Sequence, residues 1–190
     1  MIKVDLQPKP TDFDSKVKKP GQDFLKTIPR PRGKQWNNKE YWRKAISDMT
    51  TAYNSICAYS SFWIKSQQQT IDHYISRDEN PKLAYEWGNF RLASWRINTS
   101  KRNNKDVLDP FKIGENWFIL DFITFEVKPN PELSATEIES IRKTIKQLKL
   151  NHNDYIEFRE TWFNIIKNDF SLFAKKAPHI AQEMKRQNII

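Results

Sequence analysis

One stretch, Thr70 to Lys101, constrains the fold most, because residues with catalytic chemistry recur in it at set distances along the chain. Asp72 and His73 are adjacent, Asn89 follows sixteen residues after His73, and Asn98 follows nine residues after Asn89. We read the stretch as strand, loop, strand and helix, in that order. Such a unit would bring an imidazole, a carboxylate and two amides towards one pocket.

The strands of this unit are predicted from β-rich runs. Residues 55–65 and 69–74 are two such runs joined by a polar turn, so we expect a hairpin that ends near His73. A shorter run, 90–93, forms the next strand, and a short helix that ends near Asn103 is expected to follow it.

The flanking sequence predicts an arm, a helix and a small hairpin. Residues 1–36 are rich in proline and charge with little periodicity, which predicts an extended arm that docks in part through apolar residues such as Phe13 and Phe24. Helical spacing of apolar residues predicts a helix from about 39 to 53. Two alternating segments within 117–127 predict a β-hairpin.

The C-terminal part of the chain predicts two helices. Ser134 and Glu137 form a capping box, and apolar residues continue from there at helical spacing to Leu148. A longer amphipathic helix follows and stops before Pro178, so the pair is expected to form an αα-hairpin. We therefore expect an α+β protein divided into an arm at 1–36, a central domain at 37–128 and a helical extension at 129–190 packed on that domain.

The overall charge favours a polyanionic partner. Lys and Arg number 32 against 23 Asp and Glu, which gives a net charge of +9 and favours phosphate contacts. A single cysteine excludes an internal disulfide and fits a reducing compartment. The N-terminus lacks the apolar core of a signal peptide and no apolar run is long enough to span a membrane, so we expect a soluble cytoplasmic protein.

Six segments, in this order, resemble the HNH (His-Me finger) nucleases. The match covers most of the chain and is closest to a branch that includes the nuclease subunits of Septu and retron-associated anti-phage systems. The segments are Cys57-Ala58-Tyr59-Ser60, Ile71-Asp72-His73-Tyr74, Leu83-Ala84-Tyr85-Glu86-Trp87-Gly88-Asn89, Arg91-Leu92-Ala93-Ser94, Asn98-Thr99-Ser100-Lys101 and Asp106-Val107-Leu108-Asp109-Pro110-Phe111. The resemblance implies a ββα-metal core that holds one divalent ion.

The resemblance also implies a role for each polar residue. His73 corresponds to the general base, Asp72 and Asn98 to the metal ligands, and Asn89 to the residue that orients His73. With one charged ligand and one amide, the ion is expected to be Mg²⁺ or Mn²⁺. Lys101 is the first candidate to steady a phosphate in the transition state.

Further basic residues lie around this unit. Arg91 and Arg96 are alternatives to Lys101 at the phosphate, and Arg102 and Lys105 extend a basic cluster beside the site. We therefore expect these residues to bind nucleic acid. His152 and His179 lack comparable neighbours in sequence and are expected to be structural.

Related nucleases carry a zinc knuckle of four cysteines, of which this chain keeps one. Cys57 is retained, whereas Ser60, Ser94 and Ile97 occupy the other positions, and neutral hydroxyls are poor zinc ligands. We expect no structural zinc and a buried Cys57. The residues expected to fill the space instead are Phe62, Trp63, Trp95 and Ile97.

These observations predict a metal-dependent HNH endonuclease that hydrolyses DNA, acting as the effector of a bacterial anti-phage system. The chain has no glycine-rich phosphate loop, so the resemblance implies an ATPase partner encoded nearby. Two alternatives stay open: a non-catalytic nucleic-acid-binding or assembly subunit, and an HNH nuclease that acts on RNA. The first would bind nucleic acid with steep salt dependence and would be unaffected by loss of His73.

Overall fold

The computed structural model describes residues 1–190, with the side chain of Leu172 excepted, and has an α+β fold. Its centre is a two-stranded antiparallel sheet of β1 (Gln69–His73) and β2 (Phe90–Ser94), in which Asp72 lies opposite Arg91. The helix α3 (Trp95–Lys101) follows β2 without a break. The predicted order of strand, loop, strand and helix is therefore confirmed.

The predicted hairpin between residues 55–65 and 69–74 is wrong. The earlier run folds back on itself through a single bridge between Ile56 and Trp63, and β1 pairs with β2 instead. Ser61 adopts a left-handed conformation with φ 57°, which turns the chain before the run can reach β1. One edge of β1 is consequently left open.

The remaining elements surround this unit. They are α1 (Lys19–Thr27), α2 (Ile46–Ala52), β3 (Phe118–Leu120), β4 (Val127–Pro129), α4 (Ala135–Leu148), α5 (Asn153–Asn168), α6 (Phe170–Phe173) and α7 (Pro178–Arg186). The strands β3 and β4 form the predicted small antiparallel hairpin. A 3₁₀ segment, Tyr41–Ala45, leads into α2, so the helix predicted near 39–53 is present in two parts.

The predicted N-terminal arm, residues 1–36, is extended only in part, because residues 1–10 form no helix or strand and helical segments follow from Asp14. A π-helical turn, Asp14–Lys18, runs into α1, and Phe13 and Phe24 are both buried, as their apolar character predicts. Gly21 in α1 lies against the ring of Tyr85, where a Cβ added to the glycine would come within 2.2 Å of Cγ. This contact joins the N-terminal segment to the loop that precedes β2.

The C-terminal helices begin as predicted but pack differently. Ser134 and Glu137 form the expected capping box at the start of α4. However, α4 packs against α3 and β4, whereas α5 packs mainly against α6 and α7. The two helices therefore do not form the closely packed hairpin that their sequence suggests.

The core lies behind β1 and β2 and is rich in aromatic rings. Trp36, Trp42, Tyr85 and Phe90 are buried, and the first three contact one another. This cluster supports the loop between the two strands. In the described part of the chain, no helix combines the length and apolar character needed to cross a membrane.

Candidate active site

A solvent-accessible cavity of about 520 Å³ opens along the free edge of β1, between the segment that contains Tyr41–Ala45 and the C-terminal end of α3. Three chain segments distant in sequence thus contribute to its walls. The polar and charged side chains around it include those of Asp72, His73, Asn98, Glu40, Arg43, Arg77 and Arg102. This is the only described cavity that contains His73.

The ring of His73 is held on three sides. Its Nε2 lies 2.9 Å from the carbonyl oxygen of Ala84. Trp42 and Phe90 meet the ring edge-on, with centroid distances of 4.8 and 5.4 Å. The imidazole therefore has one defined orientation at the end of β1.

The hydrogen bond to Ala84 also determines where the imidazole proton lies. A carbonyl can only accept, so neutral His73 carries its proton on Nε2 and its lone pair on Nδ1. Burial lowers the pKa of His73 to about 4, and the charges of Arg77 and Lys101 act in the same direction. At neutral pH the residue is consequently uncharged, and Nδ1 is able to accept a proton.

Asp72 is buried beside the cavity and is held by two donors. Tyr59 donates its hydroxyl to Oδ2 at 2.5 Å, and the Lys101 ammonium lies 3.2 Å from Oδ1. Burial raises the pKa of Asp72, while Lys101 and Tyr59 oppose that shift. The carboxyl group is thus desolvated, and Lys101 is the cation that pairs with it directly.

Lys101 lies inside the fold and not at the cavity surface. Its side chain is 1% exposed, and its ammonium donates to Asp72 and to the carbonyl oxygens of His73 and Tyr74. All three donors are therefore engaged. The prediction that Lys101 steadies a phosphate directly is not supported by this placement, which instead makes it the counter-ion of Asp72 and a clamp on the end of β1.

Asn98 faces the cavity from α3. Its amide nitrogen donates to the Thr70 hydroxyl at 3.1 Å and to the Ile71 carbonyl at 3.2 Å. These bonds fix which end of the amide is nitrogen. The amide oxygen accepts no hydrogen bond from the described residues and is available to a ligand in the cavity.

Asn89 supports His73 indirectly. Its side chain accepts from the Ile75 nitrogen and donates to the carbonyls of Ile75 and Leu83. Leu83 precedes Ala84, whose carbonyl binds His73. Asn89 thus closes the loop that carries the acceptor for the imidazole, without a side-chain contact to His73 among the described hydrogen bonds.

Three arginines at the cavity supply positive charge that sequence analysis identifies only in part. Arg102 is among the predicted residues, whereas Arg43 and Arg77 come from outside the recognised motif segments. The Arg77 guanidinium lies 5.2 and 5.0 Å from the ring centroids of Trp36 and Trp42, respectively. None of the three pairs with a carboxylate within the described chain. Unpaired guanidiniums at the rim of one cavity favour an anionic ligand.

The other predicted nucleic-acid contacts lie elsewhere. Arg91 is 3% exposed and binds both oxygens of Asp109, so its guanidinium is part of the core. Arg96 is exposed, but it is paired with Asp154 and does not line the cavity of His73. Lys105 is exposed and pairs with Glu79 at 2.7 Å. A direct phosphate contact is therefore not supported for Arg91, because a buried bidentate pair leaves no donor facing outwards.

The zinc-knuckle positions are occupied by packing and capping residues. Cys57 and Ile97 are buried, which confirms the expected burial of Cys57, and the Ser94 hydroxyl caps α3 by accepting from the Ile97 nitrogen. The expectation for the two tryptophans is wrong. Trp63 and Trp95 are 38% and 64% exposed, so they do not fill this space.

The donor set suits a hydrated divalent ion better than zinc. Within the described chain, no group of three His, Cys, Asp or Glu side chains is placed to hold a metal. Asp72 accepts two hydrogen bonds, whereas a carboxylate can accept about four. The amide oxygen of Asn98 accepts none from the described residues. Mg²⁺ retains several waters and needs only one or two carboxylates. Carboxylate and amide oxygens are donors of the kind that Mg²⁺ takes, so Asp72 and Asn98 are the residues that would hold such an ion.

No family model matches the chain, and a search of curated proteins finds no match. The function is consequently inferred from the geometry of this cavity and from the motif resemblance.

Proposed function

We propose that the protein is a metal-dependent, HNH-type nuclease that hydrolyses phosphodiester bonds in DNA. The observation that carries the proposal is the setting of His73. One ring nitrogen, Nε2, is fixed on the Ala84 carbonyl, so the lone pair is on Nδ1. His73 also lines a cavity whose three arginines pair with no carboxylate of the described chain. A positioned base beside an anion site is what attack on a phosphodiester requires.

In the proposed reaction, Nδ1 of His73 accepts a proton from a water molecule as the water oxygen bonds to phosphorus, and the bond between phosphorus and the departing 3′ oxygen breaks. Nε2 keeps its hydrogen bond to Ala84, so the imidazolium that forms is held in the same orientation. The guanidiniums of Arg43, Arg77 and Arg102 bind the non-bridging oxygens or the adjacent phosphates.

The low pKa of His73 is compatible with this role. It keeps the imidazole neutral, and hence able to act as a base, throughout the neutral range. Part of the lowering comes from the positive charge of Arg77. A bound phosphate would offset that charge and raise the pKa, so the base becomes stronger when substrate is present.

Asp72 and Asn98 would hold Mg²⁺ or Mn²⁺ in this proposal. When bound, the ion would supply positive charge to the phosphate and to the departing oxygen. The protein's own contribution is that Lys101 and Tyr59 favour the ionised form of Asp72 and so oppose the effect of its burial.

The choice of DNA, and of an ATPase as partner, follows from the resemblance to anti-phage nucleases. The net charge of +9 supports a nucleic acid of either kind. The proposed role is that of effector nuclease in such a defence system, with recognition or triggering supplied by the ATPase.

One observation favours a second candidate, a non-catalytic nucleic-acid-binding subunit. Both oxygens of Asp72 already accept hydrogen bonds, from Tyr59 and Lys101, and the side chain is 3% exposed. A carboxylate satisfied in this way has less need of a metal. Binding without cleavage, unchanged by removal of His73, would distinguish this candidate from the nuclease.

The test is cleavage of supercoiled plasmid, linear duplex and RNA by purified protein with Mg²⁺, Mn²⁺ or EDTA. The nuclease proposal predicts metal-dependent cleavage of DNA that His73→Ala abolishes. His152→Ala is the matched control, because His152 is exposed and lies outside the cavity. Equal cleavage by wild type and His73→Ala would disprove the assignment of His73 as the base. Cleavage of RNA but not of DNA would show that the substrate is RNA.

A further inference from the structure

A second cavity, of about 370 Å³, includes none of the three arginines of the candidate active site and is walled by exposed aromatic rings. Trp95 is 64% exposed, Trp63 38% and Phe158 41%. Large aromatic side chains are usually buried. Three exposed ones that line the same open cavity therefore indicate a binding surface. We call the cleft lined by Trp63 and Trp95 the tryptophan cleft.

The tryptophan cleft adjoins the candidate active site. Gln68 lines the tryptophan cleft, and its neighbour Gln69 lines the cavity of His73. Trp95 and Asn98 are three residues apart in α3, which places them about 4.5 Å apart along the helix axis at 1.5 Å per residue.

In the sheet register Ser94 lies opposite Gln69 and Phe90 lies opposite His73. Trp95 therefore lies beyond the end of β1 that is away from His73, about 13 Å along the strand at roughly 3.3 Å per residue. A strand with a phosphate at His73 would therefore reach Trp95 a few nucleotides away.

The surroundings of the cleft carry positive charge. The Lys176 ammonium lies 4.8 Å from the ring centroid of Trp63, and the Arg96 guanidinium lies 5.3 Å from that of Tyr155. Asp154 pairs with Arg96 and compensates its charge, whereas Lys176 has no such partner among the described residues. Exposed indoles beside a lysine favour a ligand that has both flat apolar faces and negative charge.

We propose that the tryptophan cleft stacks unpaired bases of the substrate strand, a few nucleotides from the phosphate that is cleaved at His73. The inference rests on the proposed nuclease function and names its substrate class, which is a single-stranded or locally unpaired nucleic acid. In a duplex the base faces are covered by their neighbours, so an indole can stack only on a base that has left the helix.

The experiment measures binding of three labelled ligands to protein that carries His73→Ala, with Mg²⁺ present, so that no ligand is cut. The ligands are a 12-nucleotide single strand, the duplex of the same sequence, and a single strand of the same length in which all bases are replaced by abasic sites. Trp95→Ala is compared with Trp95→Phe, which keeps an aromatic ring. Ile123→Ala is the surface control, because Ile123 is 92% exposed and does not line the tryptophan cleft.

The expected result is about tenfold weaker binding of the base-containing single strand by Trp95→Ala, since stacking on one ring contributes roughly one to three kcal/mol. Binding of the abasic strand and of the duplex is expected to stay unchanged, and Trp95→Phe and Ile123→Ala to resemble the parent. Equal loss for the abasic and base-containing strands, or no loss for either, would overturn the inference.

Failure of this inference and failure of the nuclease proposal give different results. If the wild-type protein cleaves duplex DNA through His73 while Trp95→Ala changes neither binding nor cleavage, the nuclease proposal is supported and the stacking inference is wrong. If none of the three ligands binds, the stacking inference is wrong, and if the wild-type protein also cleaves nothing, either alone or together with the ATPase partner, the nuclease proposal is wrong as well. A partner protein is then the occupant to test on the tryptophan cleft.

Discussion

His73 and His179 show how two similar histidines differ in function. Each is bound through Nε2 to a backbone carbonyl, that of Ala84 for His73 and that of Phe118 for His179, at 2.9 and 2.8 Å. Burial lowers the pKa of both, so both are neutral at physiological pH. The difference is in Nδ1. In His179 it lies 3.4 Å from the Met1 nitrogen inside the core. In His73 it has no hydrogen-bond partner among the described residues, and His73 lines a cavity with three arginines.

The comparison shows that burial and a lowered pKa do not identify a catalytic histidine. Both rings share those properties, and only the environment of the second nitrogen separates them. A histidine with both nitrogens engaged in the core stabilises the fold, whereas one with a free nitrogen in a polar cavity is available for chemistry.

The largest expected effect comes from removing each ring in turn. His73→Ala should lower the cleavage rate about a thousandfold, within the range for loss of a general base. His179→Ala should leave the rate per folded molecule unchanged and lower the free energy of unfolding by about 3 kcal/mol, because it leaves a cavity and an unpaired carbonyl. Cleavage assays normalised to folded protein, together with urea denaturation, separate the two. A thousandfold loss of cleavage per folded molecule in both variants would show that the two histidines do not differ in function as proposed.

A second test concerns Lys101, the cation that pairs with Asp72. Lys101→Met leaves Asp72 buried without its counter-ion, and loss of one partner of a buried pair typically costs about 3–5 kcal/mol. The double variant Asp72→Asn/Lys101→Met removes both charges and should recover much of that stability. Denaturation of the two variants and the wild type measures the difference. A double variant no more stable than Lys101→Met would show that the pair does not compensate the buried carboxylate.

A third test uses a substitution at Gly21 to displace the Ala84 carbonyl, which accepts the hydrogen bond of His73. A methyl group at Gly21 would meet the Tyr85 ring at 2.2 Å, and overpacking of this kind costs about 1–3 kcal/mol. Because Tyr85 follows Ala84 in the chain, Gly21→Ala should also lower cleavage by displacing the acceptor of His73. Gly88→Ala is the matched control, since a Cβ there meets nothing within 4 Å. Similar unfolding and cleavage by both variants would contradict this account.

The central unit could be predicted from sequence because its signals are local. The β-rich runs at 69–74 and 90–93 predict two strands, and a helix after them, without knowledge of the rest of the fold. The partner of β1 could not be predicted in this way. Residues 55–65 are equally rich in β-forming residues, and the left-handed turn at Ser61, which keeps them from pairing with β1, is not visible in the sequence pattern.

The positions of the charged residues were harder to predict. Residue type places Arg91 and Lys101 at the surface, yet Asp109 and Asp72 allow both to be buried as ion pairs. Arg43 reaches the cavity only because the 41–52 segment packs beside β1. That arrangement depends on tertiary contacts, and no spacing within the chain signals it.

The smallest expected effect is on the pH dependence of stability, and it tests whether His73 is neutral in the fold. The pKa of His73 is about 4 when folded and close to 6.5 in an unfolded chain. Between these values the unfolded chain binds a proton that the folded protein does not, so stability falls as pH falls from 6.5 towards 4. His73 should contribute about 1.4 kcal/mol of this loss per pH unit.

Urea denaturation at pH 6.5, 5.5 and 4.5 measures that contribution as the difference in slope between wild type and His73→Ala. Burial lowers the pKa of His179 in the same sense, so the wild-type slope contains both histidines and only the difference reports on His73. A smaller slope in His73→Ala means that the wild-type ring stays neutral in the folded protein. Equal slopes would mean that the folded protein protonates His73 as readily as the unfolded chain does. The imidazole would then be an imidazolium at mildly acidic pH, Nδ1 would carry a proton, and cleavage should fall below pH 6.5 rather than near pH 4.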